Sequence, residues 1–135
     1  MLSRFFRKFT LKIYTMDAII HTATLPEWYT EERCHISEIR NSADNPAVSI
    51  ARARVEPGVT TALHAVIDTV EKYFILDGKG EMEINGLPVG EVKTGDLVVI
   101  PAGAPQRIRN TGTTDLLFLC ICTPRFETRN YQALE

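Results

Sequence analysis

His64 and Glu71 are the two residues whose types and spacing could support chemistry in this sequence. They lie seven positions apart, on either side of a short reversal at Ile67-Asp68. If the flanking runs form an antiparallel hairpin, His64 pairs directly with Glu71, and directly paired residues have Cβ atoms about 5 Å apart. The pattern therefore predicts an imidazole and a carboxylate that point into one space, as a metal site or an acid/base pair requires.

Short β-like runs separated by polar or glycine-containing turns surround this pair. The sequence predicts strands over residues 34–40 and 47–55, in both arms of the central hairpin, and in the later runs LVVIP, QRIRN and DLLFLCIC. Asn85-Gly86 predicts a further hairpin, with Leu87-Pro88 lengthening its loop. Residues 24–33 read as a loop or helical turn, and only the tail FETRNYQALE is predicted to be helical. This pattern favours a sandwich or barrel over parallel βαβ units.

The composition is that of an ordinary globular domain. The 135 residues suit one domain, and they are 44% hydrophobic and 24% charged. The formal net charge is −2. The first 15 residues contain four basic residues and no acids, so the rest of the chain has a net charge of −6. This acidic body argues against nucleic acid as the main partner. No run approaches the roughly 18 consecutive apolar residues of a membrane span.

Residues 1–16 are predicted to be a basic extension, separate from a domain over residues 17–135. The apolar residues of the extension recur at helical spacing with basic residues between them: Leu2, Phe5, Phe6, Phe9 and Ile13. One interpretation is an amphipathic helix that lies on a membrane or docks on the domain. The other is a dispensable extension ahead of a working start at Met16. Both alternatives stay open.

The three cysteines form neither an even disulfide set nor a C-x-x-C motif. Cys120 and Cys122 are two positions apart in an apolar run, so a strand would place both on one face. We interpret them and Cys34 as reduced, buried thiols, with thiolate ligation as the alternative. This use of cysteine fits a reducing cytoplasm, which is the expected location.

The residues around His64 and Glu71 resemble the two motifs of the cupin superfamily. The first motif, G-x5-H-x-H-x3-4-E-x6-G, and the second, G-x5-P-x-G-x2-H-x3-N, are matched without gaps by Gly58, His64, Glu71, Gly78, Gly95, Pro101, Gly103 and Asn110. The resemblance implies an all-β, cupin-like double-stranded β-helix (a jelly-roll barrel) with an N-terminal extension and a short C-terminal helix. It is a resemblance to small single-domain cupins of the conserved-barrel kind, loosely mannose-6-phosphate-isomerase-like. Such cupins are often homodimers, and the same is expected here.

Two of the metal-binding positions of the family are changed in this sequence. Val66 stands at the second histidine of the first motif, and Gln106 stands at the histidine of the second. Valine cannot bind a metal, and glutamine offers only a neutral carbonyl oxygen. The resemblance implies a degenerate site in which His64, Glu71 and Gln106 hold Fe, Mn, Ni or Zn, with waters as further ligands. The alternative is a metal-free hydrogen-bonded network of the same side chains.

Two functions of different classes follow from these alternatives. The first is an isomerase- or oxygenase-like enzyme in which His64 and Glu71 are catalytic, as metal ligands or as an acid/base pair. The second is a metal-free module that binds or senses a small molecule without catalysis. Strand alternation places Tyr73 on the face of Glu71 and Ile108 on the face of Gln106. The resemblance implies that both line the substrate pocket, and a plain core role is the alternative.

Overall fold

The computed structural model describes residues 18–135, and the predicted extension over residues 1–16 lies outside this range. Within it the chain forms eleven strands, two turns of 3-10 helix at Thr22–Thr24 and Thr128–Asn130, and no helix long and apolar enough to span a membrane. The strands are β1 (Trp28–Tyr29), β2 (His35–Arg40), β3 (Ser49–Val55), β4 (His64–Val66), β5 (Val70–Asp77), β6 (Lys79–Ile84), β7 (Leu87–Lys93), β8 (Leu97–Ile100), β9 (Gln106–Asn110), β10 (Leu116–Thr123) and β11 (Tyr131–Ala133).

The strands form two antiparallel sheets that face each other. One sheet has the order β1-β2-β3-β10-β5-β8, and the other has the order β11-β4-β9-β6-β7. Because consecutive strands such as β3 and β4 belong to different sheets, the chain passes repeatedly from one sheet to the other. This connectivity confirms the predicted all-β, double-sheet jelly roll.

The predicted central hairpin between β4 and β5 is wrong. His64 pairs with Gln106 on one side and with Ala133 on the other, whereas Glu71 pairs with Ile100 and Cys122. The short connection between the two strands contains Asp68 at φ 58°, and it carries the chain from one sheet to the other. A local reversal therefore fixes where the chain turns, but it does not decide which strands pair.

The predicted C-terminal helix is also wrong, because the tail forms a 3-10 turn followed by β11. β11 pairs with β4, with Tyr131 opposite Val66 and Ala133 opposite His64. Without this pairing one edge of the three-residue strand β4 would have no backbone hydrogen-bond partner. The partner strand therefore overrides the local helical preference of the tail.

Asn85-Gly86 forms the predicted hairpin turn between β6 and β7. The two residues have φ values of 55° and 76°, which are the positive values that a two-residue type I′ turn requires. Ile84 pairs directly with Leu87, so Leu87 and Pro88 belong to β7 and do not lengthen the loop. The expectation of a longer loop is wrong for this reason.

The motif glycines Gly58, Gly78 and Gly95 adopt the positive φ values expected at reversals, namely 77°, 89° and 91°. At Gly78 a side chain would meet a second obstacle, since a Cβ atom there would lie 2.8 Å from the carbonyl oxygen of Asp115. This glycine is therefore required both by the turn and by the close passage of the chain leading into β10.

A hydrophobic core fills the space between the two sheets. Its largest fully buried side chains are at most 1% exposed: Ile75, Met82, Ile100, Ile108 and Leu116. Burial of each side chain of this kind contributes about 1.5–3 kcal/mol to folding. Cys34, Ala53, Tyr73 and Phe118 belong both to this core and to the wall of an adjoining cavity. The cavity wall is therefore continuous with the hydrophobic core.

Candidate functional site

A cavity of about 310 Å³ lies between the two sheets. Its wall is formed by β1, β2, β3, β5 and β10 of the six-stranded sheet and by β4 and β11 of the five-stranded sheet. This volume lies at the lower end of the range of small-molecule pockets, which is about 300–1,000 Å³. His64, Glu71 and Tyr73 all line it. His64 and Glu71 thus share one space although they belong to different sheets.

The imidazole of His64 is held on three sides. Its Nδ1 lies 2.8 Å from the carbonyl oxygen of Ala62, and its ring stacks on that of Tyr131 with 5.3 Å between the centroids. Because a carbonyl oxygen only accepts hydrogen bonds, Nδ1 carries the proton. Nε2 lies 3.6 Å from Oε2 of Glu32. When Nδ1 carries the only ring proton, Nε2 is a proton acceptor beside a carboxyl group.

Glu32 is the functional candidate that the sequence did not indicate. It lies in the turn between β1 and β2, where its backbone N–H donates to Oγ1 of Thr30 and its carbonyl oxygen accepts from the N–H of Ala62. Ala62 thus binds both Glu32 and His64, and it fixes their relative position. Burial raises the pKa of Glu32, and the nearby His64 opposes this rise. The two residues are 32 positions apart, so no short spacing marks them as a pair.

The carboxylate of Glu71 is the centre of a buried hydrogen-bonded chain. The amide of Gln106 donates to Oε1 of Glu71, and the thiol of Cys122 donates to Oε2 over 3.7 Å. The hydroxyl of Tyr73 donates to Oε1 of Gln106 over 2.6 Å. Burial raises the pKa of Glu71, while the hydrogen bond from Gln106 and the charge of His64 lower it. Glu71 is therefore held in one orientation by partners on both of its oxygens.

Three free thiols, those of Cys34, Cys120 and Cys122, line the same cavity. Burial raises the pKa of Cys34 and of Cys122 to about 12, and it raises the pKa of Cys120 well above its usual value. The thiols are therefore protonated at neutral pH, and protonated thiols are weak nucleophiles and weak metal ligands. Cys34 and Cys122 are buried as expected, whereas Cys120 is half-buried.

The remaining predicted site residues occupy different environments. Gln106 and Ile108 both point inward and are each 1% exposed. The side chains of β9 therefore alternate regularly between these two positions. Gln106 bonds to two residues of the cavity wall, Glu71 and Tyr73. Ile108 belongs to the hydrophobic core, together with Met82 and Ile100. The structure thus brings four of the five predicted site residues into or against the cavity and packs the fifth in the core.

The side chains at this site do not fit the metal centre that the resemblance implies. Over residues 18–135 no group of three or more His, Cys, Asp or Glu side chains is arranged to hold a metal ion. Oε1 of Gln106 accepts the hydroxyl proton of Tyr73, and its amide nitrogen faces Glu71. Its one ligand atom is therefore engaged. His64 and Glu71 alone fall short of the three protein ligands of a typical catalytic zinc site.

Comparisons with known proteins agree with the fold. A family model described as a cupin domain matches residues 51–122. An uncharacterised protein from Methanocaldococcus jannaschii is 37% identical over 87 residues, which are 64% of this chain and 69% of that protein. An oxalate-binding protein from Thermotoga maritima is 37% identical over 82 residues, which are 61% of this chain and 67% of that protein.

Two solved structures illustrate the structural similarity. A predicted oxalate decarboxylase from Thermotoga maritima has a TM-score of 0.71 at 26% identity, with 78% of this chain and 98% of that one covered. Pac13, a nucleoside dehydratase, has a TM-score of 0.73, with 87% of this chain and 90% of that one covered. At 13% identity, the second comparison shows the fold alone.

Proposed function

The chain belongs to the cupin family, and from this premise we propose that its barrel cavity binds a small molecule on which His64 and Glu32 act as a base and an acid. The observation that carries the proposal is the distance of 3.6 Å between Nε2 of His64 and Oε2 of Glu32. Both groups line the cavity, so a bound molecule can reach both. No metal takes part in this proposal.

The environments of the two groups suit opposite roles. With its proton held on Nδ1 by Ala62, His64 has a free lone pair on Nε2 and serves as the base. The raised pKa of Glu32 favours its protonated form, which serves as the acid. His64 takes a proton from one atom of the bound molecule, and Glu32 returns a proton to another. Transfer of the proton from His64 to Glu32 then restores the starting state. This exchange is the central step of an isomerisation.

Glu71 has a different role in this proposal from the catalytic one expected from the sequence. Both of its oxygens accept hydrogen bonds, from Gln106 and Cys122, and these bonds fix the orientation of its carboxyl group. We assign it to orienting the bound molecule, with Tyr73 and Gln106 holding its carboxylate in place. Its variants are then expected to weaken binding more than they slow a proton transfer.

A second candidate function is binding without turnover. It is favoured by Val66 and Gln106, which occupy positions where the family motifs have histidines. It is also in keeping with the relative from Thermotoga maritima that is called an oxalate-binding protein. In this alternative the same cavity holds a small molecule, and His64 and Glu32 contribute only hydrogen bonds.

Deuterium incorporation in D2O distinguishes the two candidates. A panel of small hydroxy-ketones and amino-ketones is incubated with the EDTA-treated protein and followed by NMR. We expect incorporation next to the carbonyl group, reduced about 10²–10⁴-fold by His64→Gln because a general base is lost. Glu32→Gln should also slow it, whereas Glu31→Gln, which removes the neighbouring exposed charge, should not.

Three other results of the deuterium experiment would favour an alternative or contradict the proposal. Binding of panel members without incorporation favours the binding module. Incorporation that returns only after Fe, Mn, Ni or Zn is added favours the metal alternative. Incorporation that His64→Gln leaves unchanged contradicts the proposed base.

A further inference from the structure

We infer that the molecule bound in this cavity is an organic cation, such as an amine or a quaternary ammonium compound, and not a carboxylate. The inference rests on the proposed small-molecule function, and it adds the chemical class of the ligand. It departs from the ligand in the name of the oxalate-binding relative. The charges and the aromatic rings of the cavity wall each support it.

The charged side chains of the cavity wall are all acidic. Glu32, Glu38 and Glu71 line the cavity, and no lysine or arginine of the described chain does. Glu71 is the deepest of the three and only 7% exposed. Elsewhere in the protein, acids pair with arginines: Arg54 contacts Glu27 and Asp115, and Arg107 contacts Glu83. Among the described lining residues His64 is the one basic side chain, and it contacts Glu32. The excess of acids over basic groups in the cavity wall therefore favours a positive charge on the ligand.

The negative charges of Glu32 and Glu71 repel each other. The negative charge of Glu32 contributes to the raised pKa of Glu71, in addition to the larger effect of burial. A cation between them would attract the carboxylate of Glu71 and favour ionisation of Glu32, which offsets the cost of burying these charges. An anion such as oxalate would be repelled by Glu71 in a setting of low dielectric. The same pair of acids therefore selects for cations and against anions.

Five aromatic residues also line the cavity: Trp28, Tyr73, Phe118, Phe126 and Tyr131. Aromatic faces attract cations through the negative potential above the ring, and tryptophan does so most strongly. Trp28 is 47% exposed, so its ring lies where a ligand entering from solvent would meet it. Tyr73 and Phe118 pack against each other deeper in the wall, with ring centroids 4.4 Å apart. Acids combined with aromatic rings form a typical site for ammonium groups.

Trp28 also provides the measurement, since it is the one tryptophan of the chain. Three probes of similar size, benzylamine, benzyl alcohol and benzoate, are titrated at pH 7.5 while its fluorescence is followed, and oxalate is added as a fourth probe. We expect benzylamine to bind at least about tenfold more tightly than benzoate or oxalate. Glu71→Gln and Glu32→Gln should each weaken benzylamine binding, whereas Glu31→Gln should leave it unchanged because Glu31 does not line the cavity.

The possible failures are distinguishable. Tighter binding of benzoate or oxalate than of benzylamine would overturn the cation inference and leave the small-molecule cavity standing. Benzylamine binding that ignores both Glu71→Gln and Glu32→Gln would also overturn it, because the acids would have no part in the recognition. No response to any of the four probes counts against both the inference and the proposed function.

Discussion

The side-chain amide of Gln106 donates a hydrogen bond to the carboxylate of Glu71, so two residues at cupin ligand positions bind each other. The carbonyl oxygen of the same amide accepts from Tyr73. A histidine at position 106 could offer a lone pair to a metal, whereas this glutamine uses both ends of its amide within the protein. The change of one side chain therefore replaces a ligand with part of a hydrogen-bonded network.

Restoring the two missing histidines should restore metal binding. Val66 follows His64 by two positions on β4 and lines the same cavity, so Val66→His places a second imidazole beside the first. Combined with Gln106→His, it gives three imidazoles and Glu71, a set that binds divalent transition metals. We expect about one metal ion per chain by elemental analysis, as in other sites with three or four protein ligands. The wild type, in which only His64 and Glu71 remain of this set, should hold much less. A folded double variant without metal would contradict this prediction.

Glu71→Gln should stabilise the protein at neutral pH. Because the pKa of Glu71 is raised above 4.5 in the folded state, the folded protein binds more protons than the unfolded chain between these two pKa values. The contribution of Glu71 to the stability of the fold is then greatest at low pH. It falls as the pH rises from about 4.5 through the pKa of Glu71 in the folded state. Glu32 acts in the same direction, and His64, Gln106 and Cys122 face Glu71 from the neighbouring strands.

Calorimetry at two pH values checks this prediction. Glutamine keeps the acceptor for Gln106 and removes the buried charge, so we expect Tm to rise by about 2–5 °C at pH 7.5. The gain should vanish near pH 4, where the wild-type side chain is protonated. The exposed control Glu31→Gln should show no such dependence. A loss of stability at pH 7.5 would contradict the prediction, because it would mean that the charge of Glu71 is favourable in the fold.

Tyr73→Phe should destabilise the protein by about 1–3 kcal/mol, because it leaves the buried Oε1 of Gln106 without its donor. Urea denaturation measures this change in the free energy of unfolding. Tyr29 is 60% exposed, so Tyr29→Phe is a control with the same chemical change and an expected effect within about 0.5 kcal/mol. Equal effects of the two substitutions would mean that the hydrogen bond of Tyr73 adds nothing to stability.

Gly78→Ala should cost more stability than Gly58→Ala. Both glycines have similar φ values, 89° and 77°, so the backbone strain of an alanine is comparable at the two positions. Only at Gly78 does the new Cβ atom collide, at 2.8 Å from the carbonyl oxygen of Asp115, whereas at Gly58 nothing lies within 4 Å. Thermal denaturation of the two variants separates collision from strain. Similar melting temperatures would show that the chain near Asp115 moves aside at little cost.

The amino-acid sequence by itself determined the class of the fold and the positions of its turns. Asn85-Gly86, Gly58, Gly78 and Gly95 predicted reversals correctly, because the conformation that they permit is a property of each residue and its neighbours. Strand patterns between these turns then predicted a sandwich or barrel. The motifs also identified His64 and Glu71, which both line the cavity.

Only the tertiary structure decided which strands pair and which side chains meet. His64 pairs with Gln106 and Ala133, and Glu71 pairs with Ile100 and Cys122. These pairs form because the connections between the sheets bring together strands that are distant in the sequence. The same connections bring Glu32 to His64. Contacts of this kind depend on burial and on hydrogen bonds summed over the whole barrel. A spacing along the chain therefore predicts a turn well, but it does not predict the partner across a cavity.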